Sequence, residues 1–545
     1  MREVLYAEQG SSERAEAHLA IGRALDGLAE YQQPRHAAML AHHFSQGAHL
    51  GGAARALDLS IAAGAFALRN FAYEQAIEHF ERASSLLALG GEPDPATECA
   101  LLLDLGLSQI SAGQREAGQG SLLLAAARAR ELGAASELAS VALSLVPGLF
   151  AIEVGGYDPA LVALLREALA QVGDNQRLRA LLLARLALAL YWSDTFDERA
   201  AICAEAEALA EASGSDDVKA SVTTARALAL LRPCNLSERE QLTARAVELC
   251  GRVGDHHGLL LNRLHRAALL LEAGNLAAAT FESDGFCRLA EEVQQPQALW
   301  IARALHACRL LLDGRLDAVE AIAGDCLQTG QRVRDHNALQ TFGVHLALLR
   351  IEQGRGSELL DVLRNYAASY PRTVAWRAVY AFALCRSGQL AACREQHEST
   401  KANGFVFPED LVWQLSMAWF SELCAELADV EGAALLYERF ASFAGRYVVI
   451  GYGIACLGSA DRFLGLLCAT LGRREDAARH LERALEQNRR LGASLPLAHT
   501  LFDYGRFLAP SAPERARALV AEASKIAAER GLVLLQERIA SSGIG

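Results

Sequence analysis

Between Ala63 and Ala83 the chain reads AGAFALRNFAYEQAIEHFERA, with small and apolar residues three and four apart on either side of a break at Asn70-Phe71. Residues so spaced share one helical face, so Ala76, Phe80 and Ala83 form a row on a second helix. Gly64, on the helix before the break, marks a close approach between the two. The stretch therefore predicts a helical hairpin. Turn positions of the same kind recur at Phe71, Gly113, Gly155, Asp194, Asn235, Gly274, Gly314, Gly354, Gly388, Asp429, Gly472 and Ser511, about forty residues apart over more than four hundred residues. At Gly274, Gly314, Gly354 and Gly388 a glycine ends one helix in the left-handed conformation, letting the next fold back. A late unit, Gly458–Leu491, places Leu464-Gly465 and Cys468 on a first helix and Ala477, Leu481 and Ala484 on a second. Ala516, Val520 and Ala523 repeat that row.

This row and period resemble the tetratricopeptide repeat, although forty residues exceed its usual thirty-four. The predicted fold is all-α: an N-terminal helical linker over residues 1–50, then about twelve hairpins over 51–545 in a right-handed superhelix, an α-solenoid. The first helix of each pair is expected to line a concave groove. Prolines agree with the hairpin boundaries, falling in connections or first helical turns. Pro147 is the exception and predicts a break, which makes Ser144–Gly156 the least regular repeat.

Composition narrows the function. The formal charge is −13, and only Lys219, Lys401 and Lys525 are lysines, a poor footprint for phosphate backbones. No nucleic-acid contact is expected. The twelve cysteines contain no C-x-x-C and many sit in apolar rows (Cys250, Cys308, Cys468), as free thiols of a reducing cytoplasm do. The N-terminus lacks an apolar signal core, and the longest uncharged run, Leu138–Ile152, is too short for a bilayer. A cytoplasmic chain with no membrane contact is expected.

Chemical motifs are sparse. The G-x-x-x-x-G-K-[ST] loop is missing, and Gly451-Tyr452-Gly453 with Gly458 lacks the preceding strand of a dinucleotide site; those glycines are expected to let helices approach. His42-His43 near His36, and His256-His257 with His265, lack metal-ligand spacing. Acidic pairs such as Glu291-Glu292 read as solvated faces. The sequence thus predicts a non-enzymatic protein with no catalytic residue, metal or cofactor. What remains is the groove: Trp192 and Trp419 project toward it, His265, His306 and His345 recur about forty apart, and Arg263 and Arg303 do likewise. A tryptophan offers an apolar plate and an arginine a fork of donors, so these seven are candidates for binding a peptide, a sugar or another effector, with core packing as the alternative role.

The opening words, REVLYAE followed by SSERAEAHLAIGRAL, then His42-His43-Phe44, Gly51-Gly52 and the helix Ala53–Asn70, resemble the end of the winged helix and the linker of bacterial STAND-type regulators. The resemblance is strongest over the first ninety residues. It implies a sensor and protein-interaction arm whose partners are a protein or peptide, a small-molecule effector, the chain's own ATPase module or a second copy of itself. The ATPase core and a C-terminal helix-turn-helix do not occur in this sequence, so the family's ATP and DNA activities are not expected of it. A free-standing adaptor and an enzyme with its site in the groove are the alternatives.

Overall fold

The computed structural model describes residues 10–89, 94–145, 154–193, 195–333 and 335–544. Pro147, the turn residue Asp194 and the segment REVLYAE lie outside them. Helices α1 (Ser11–Asp26) and α2 (Ala37–Gln46) pack on α3 (Ala53–Arg69) through Leu19, Leu40, Phe44 and Leu59. From α3 the helices proceed in pairs: α4 (Tyr73–Leu89), α5 (Pro95–Ser111), α6 (Arg115–Leu132), α7 (Ala135–Ser144), α8 (Pro159–Gln171), α9 (Gln176–Ala189), α10 (Phe196–Ser213), α11 (Asp216–Ala229) and α12 (Leu236–Val253). They continue as α13 (His256–Glu272), α14 (Leu276–Val293), α15 (Pro296–Leu312), α16 (Leu316–Arg332), α17 (His336–Glu352), α18 (Leu360–Ser369), α19 (Val374–Arg386) and α20 (Leu390–Lys401). The last are α21 (Trp413–Leu427), α22 (Val430–Phe440), α23 (Ala460–Thr470), α24 (Arg474–Leu491), α25 (Ser494–Leu508), α26 (Pro513–Arg530) and a closing helix, α27 (Val533–Ser542). Consecutive helices pack on each other as hairpins, so the molecule is a helical solenoid.

The repeat signals act as their chemistry requires. Gly274, Gly314, Gly354 and Gly388 take φ of +79°, +69°, +72° and +75°, and Ala76, Phe80 and Ala83 are fully buried. The non-glycine turns differ: Phe71 is itself left-handed (φ +61°), at Asp429 the left-handed residue is Ala428 (φ +54°) while the Asp429 carboxylate caps α22 by accepting from Gly432 N at 3.1 Å, and Asn235 takes φ −97°. Gly465 makes the closest helix approach of the late repeat, since a Cβ there would lie 2.6 Å from Leu481 Cγ. Gly465→Val is expected to cost about 1–3 kcal/mol by overpacking, read as a lower urea midpoint at unchanged m-value.

The all-α solenoid that the sequence predicts is what forms, with two features added to it. Strands β1 (Tyr447–Ile450) and β2 (Ala455–Ser459) form an antiparallel hairpin between α22 and α23, with Val449 opposite Cys456 and Ile450 opposite Ala455. A strand does precede Gly451-Tyr452-Gly453, and Gly458 belongs to β2 rather than to a helix; no dinucleotide unit results, since the pair is antiparallel. The β-branched run Val448-Val449-Ile450 is too short to stand out from a helical period, yet Gly451 and Gly453, at φ +57° and +88°, supply the turn.

The solenoid also coils back onto itself. Phe71 lies edge-on to His256 (5.6 Å), Asn337 Oδ1 accepts from Val154 N at 2.9 Å, Arg372 Nη1 donates to Trp192 O at 3.0 Å, and Arg446 Nη1 donates to Pro233 O at 2.9 Å. The last three join residues 183, 180 and 213 apart, about five repeats, so successive turns touch. First helices from α9 to α23 then share one buried cluster with the β-hairpin, including Leu188, Leu264, Leu305, Val379, Trp419, Ile450 and Phe463. Among the described residues no helix is long and apolar enough to cross a membrane.

Candidate functional site

The β-hairpin enters the axis that the solenoid encloses, and its tip meets two of the predicted inner-surface residues, His265 and His345. Tyr452, at 4% exposure, lies 4.4 Å from the His265 ring at 76°. His345 Nε2 lies 2.8 Å from Ile454 O; a carbonyl only accepts, so that nitrogen carries the proton. Gly451 N donates to Leu411 O at 3.1 Å, and Val449 N donates to Gln414 Oε1 at 3.0 Å. First helices of separate repeats thus hold the hairpin by its backbone as well as its side chains.

Of the seven residues singled out from sequence, four point inward. His265 and His345 are buried, and burial pushes their imidazoles down to about 3 and about 4, the field of Arg239 adding to the first. Trp192 is buried edge-on to Tyr191 (5.3 Å), and Trp419 stacks on Phe382 at 5.0 Å and 4°. The other three face elsewhere. Arg263 Nη1 lies 3.4 Å from Glu282 Oε2 on the partner helix of its hairpin, Arg303 Nη1 donates to Thr329 Oγ1 at 2.7 Å, and His306 is exposed. The phase explains it: midway between His265 and His345 stands Leu305, which is in the core, and one residue further turns a side chain about 100° around the helix.

Sequence reasoning passed over three features. Asp410, buried beside the axis, has its carboxyl pushed up to about 7 by burial, against the pull of the Val412 and Trp413 amides. Trp300 Nε1 donates to Asp335 Oδ2 at 3.3 Å, while Asp335 caps α17 by accepting from Asn337 N at 3.0 Å. His397, Cys424 and Asp429 place donor atoms within 4.8 Å of one another. Lys401 Nζ, 3.2 Å from Asp429, puts a cation where an ion would sit. Cys250 and Asp255 with Gly258 build the same cap in an earlier repeat, so this cluster reads as a turn motif.

Room for a ligand is found at two places around the tip. A void of about 50 Å³, walled by Val154, Gln340, Trp376, Leu415 and Ile450, is no larger than a few solvent molecules. A cleft of about 330 Å³ opens on the other side, where Tyr452 and Gly453 meet Ala267 and Leu271 of α13, Ser283 of α14, Leu305 and Arg309 of α15, and the loop Leu491–Ala493 of the next turn. Its floor is alanine and leucine. Its polar edge is Thr280, Asp313 and the pair Arg309–Ser283, with Arg309 Nη2 2.9 Å from Ser283 Oγ and 2.7 Å from Asp284 Oδ1. A volume of that size takes a small organic molecule.

No family model matches the chain, and no curated protein matches it in sequence. Among solved structures, it is similar to the crystal structure of the APC/C hetero-tetramer Cut9–Hcn1 at 13% identity, over 85% of this chain and 86% of that one, with a TM-score of 0.40. It is also similar to yeast Tom70 at 10% identity, over 98% and 96% of the two chains, with a TM-score of 0.22. A circular tandem repeat protein of novel repeat topology is 15% identical over 97% and 98%, with a TM-score of 0.12. The assignment as a helical solenoid rests on the hairpin packing described above.

Proposed function

We propose that the chain is the sensor and protein-interaction arm of a STAND-type signalling or transcription regulator, and that its effector occupies the cleft beside the hairpin tip. The observation that supports this reading is the composition of the cleft, which takes one wall from α13–α15, one from the next turn of the solenoid and one from Tyr452-Gly453. A ligand there touches two turns at once, so its binding energy bears on how tightly the solenoid is wound, and a partner on the outer surface would sense the change. The lining suits an uncharged molecule with an apolar face and a hydroxylated edge, because Arg309 is already neutralised by Asp284. The N-terminal words that resemble the regulators' linker supply the biological setting.

The test uses the cleft rim, since Trp192 and Trp419 are core residues whose removal would unfold rather than unbind. Thr280 is exposed, so Thr280→Trp is expected to fill the cleft and preserve the fold. A panel of neutral sugars and hydroxylated aromatics, screened by thermal shift and calorimetry, is expected to contain a compound that stabilises the wild type by about 2.7 kcal/mol at a hundredfold excess over its Kd and leaves Thr280→Trp unmoved. A panel that shifts neither protein, or both alike, would remove the cleft as the effector site.

A further inference from the structure

A carboxylate, an imidazole and a phenol line up where α22, α23 and α24 meet, and none of them lines the cleft. Asp461, in the first turn of α23, is fully buried; its Oδ2 accepts from Gly445 N at 2.6 Å and its Oδ1 from Arg483 Nε at 2.9 Å. The same Oδ1 lies 2.5 Å from His480 Nδ1. Two bare lone pairs do not approach so closely, so Nδ1 carries a proton, and in the neutral ring the free lone pair is on Nε2. Tyr437 Oη stands 3.4 Å from Nε2 and donates to it. Tyr437 is half-buried while His480 and Asp461 are buried, so of the three the tyrosine is the one open to solvent. Arg473 completes the group: its guanidinium carbon lies 5.2 Å from the centre of the Tyr437 ring, and among the described residues it meets no carboxylate at ion-pair distance.

We propose that Tyr437 is a nucleophilic phenol that takes an acyl group from an activated ester, with His480 as its general base and Asp461 as the residue that positions the imidazole. The arrangement has the parts an activated hydroxyl needs: a nucleophile within reach of a base, and the base oriented by a third group. A phenol is protonated at neutral pH, and burial, with Cys468 and Asp476, raises Tyr437 further against the field of Arg473. The base is what lets it attack. In the step, a bond forms from Oη to the acyl carbon as the ester's bond to its leaving group breaks; the phenolic proton passes to Nε2, and the leaving group departs as its anion with the electron pair of the broken bond. Arg473 offers donors to the carbonyl oxygen as it gains negative charge, and the 3.4 Å separation shortens as the phenol gives up its proton. The sequence conceals the group, because Tyr437 and His480 stand 43 residues apart and Asp461 stands 19 before His480, and only the stacking of hairpins brings them together.

The experiment treats the full chain with p-nitrophenyl acetate and reads acetylation at each tyrosine by peptide mass mapping over time. Tyr437 is expected to react about a hundredfold faster than Tyr157, which is 44% exposed, and His480→Gln should remove that advantage, whose size is usual for a general base. Tyr437→Phe keeps the ring and should abolish the label. The groups that face the imidazole are Asp461 from α23, Tyr437 from α22 and Arg483 from its own helix. The wild-type rate should therefore rise with pH along a single imidazole titration that folded His480→Gln lacks, a profile that a tyrosine merely packed against a histidine does not show. Because the rate ratio and the profile are read on the wild type, the test stands even where circular dichroism finds the His480 variant unfolded. Acetylation of Tyr437 no faster than of Tyr157, a rate unchanged in folded His480→Gln, or an acetyl group found on His480 in place of Tyr437 would each overturn the proposal.

Discussion

Glu422→Ala is expected to destabilise the protein by about 3–5 kcal/mol, the range for removing one partner from a buried ionic network. Glu422 is 4% exposed and sits among three guanidinium groups: Arg386 in direct contact, Arg462 Nη2 at 3.1 Å and Arg538 Nη1 at 3.9 Å. Arg462 also meets Asp503 at 2.7 Å, and Arg538 meets Glu426 at 2.8 Å. Three cations thus face three anions, supplied by α19, α21, α23, α25 and α27. Deleting one carboxylate strands positive charge where burial keeps bulk solvent from screening it. Burial alone would raise the Glu422 carboxyl, but Arg462, Arg386 and Arg538 hold it well below the usual carboxylate range. The sign follows: a depressed folded-state pKa contributes stability that is present above the unfolded value of about 4.3 and is lost as pH falls beneath it. Urea midpoints between pH 7 and pH 3 should fall for the wild type and flatten for Glu422→Ala. Asp361→Ala, at a surface pair with side chains 61% and 84% exposed, should change stability by no more than about 0.5 kcal/mol. Equal effects at the two sites would mean that the buried network contributes nothing special.

That network was legible in part and went unread. Glu426 stands 40 residues after Arg386, and Asp503 stands 41 after Arg462, so opposite charges recur at the repeat period on the same face of successive first helices. Period and turns were plain because each hairpin solves its own local problem: a left-handed glycine, a small residue opposite a ring, a row three and four apart. The winding of the stack is different. It depends on small rotations between neighbouring repeats, added over about five of them, and no local signal carries that sum. Hence Trp192 and Trp419 lie buried in the core that the inward faces share, and the closing of those faces on one another and on a β-hairpin was not foreseen. His306 failed for a narrower reason, a phase error of one residue beside Leu305. Val448-Val449-Ile450 carries strand-forming side chains, but three residues inside a helical repeat are too few to stand out from its period.

The hairpin tip gives the second large effect. Tyr452→Ala is expected to cost about 3–5 kcal/mol, as for other buried aromatics cut back to alanine, because the ring is at once the lid of the 50 Å³ void and a wall of the 330 Å³ cleft. Tyr452→Phe keeps the ring and its packing and should cost no more than about 1 kcal/mol. His265 supplies an internal reporter. With the Tyr452 ring 4.4 Å away, burial holds its imidazole near 3, below an ordinary value of 6.5. Such a histidine contributes stability that is complete above about 6.5, and that stability is lost as pH falls toward 3, since only the unfolded chain takes up the proton in that window. Cutting back Tyr452 lets water reach His265, so its NMR titration should move up toward 6.5 and the acid-side slope of stability should shrink. If His265 still titrates near 3 in a Tyr452→Ala protein of full stability, the tip is not what closes the axis. A raised His265 together with faster amide exchange at Val154 and Ile454 would show two turns of the solenoid loosening through one side chain, which is the coupling that an effector in the adjoining cleft would use.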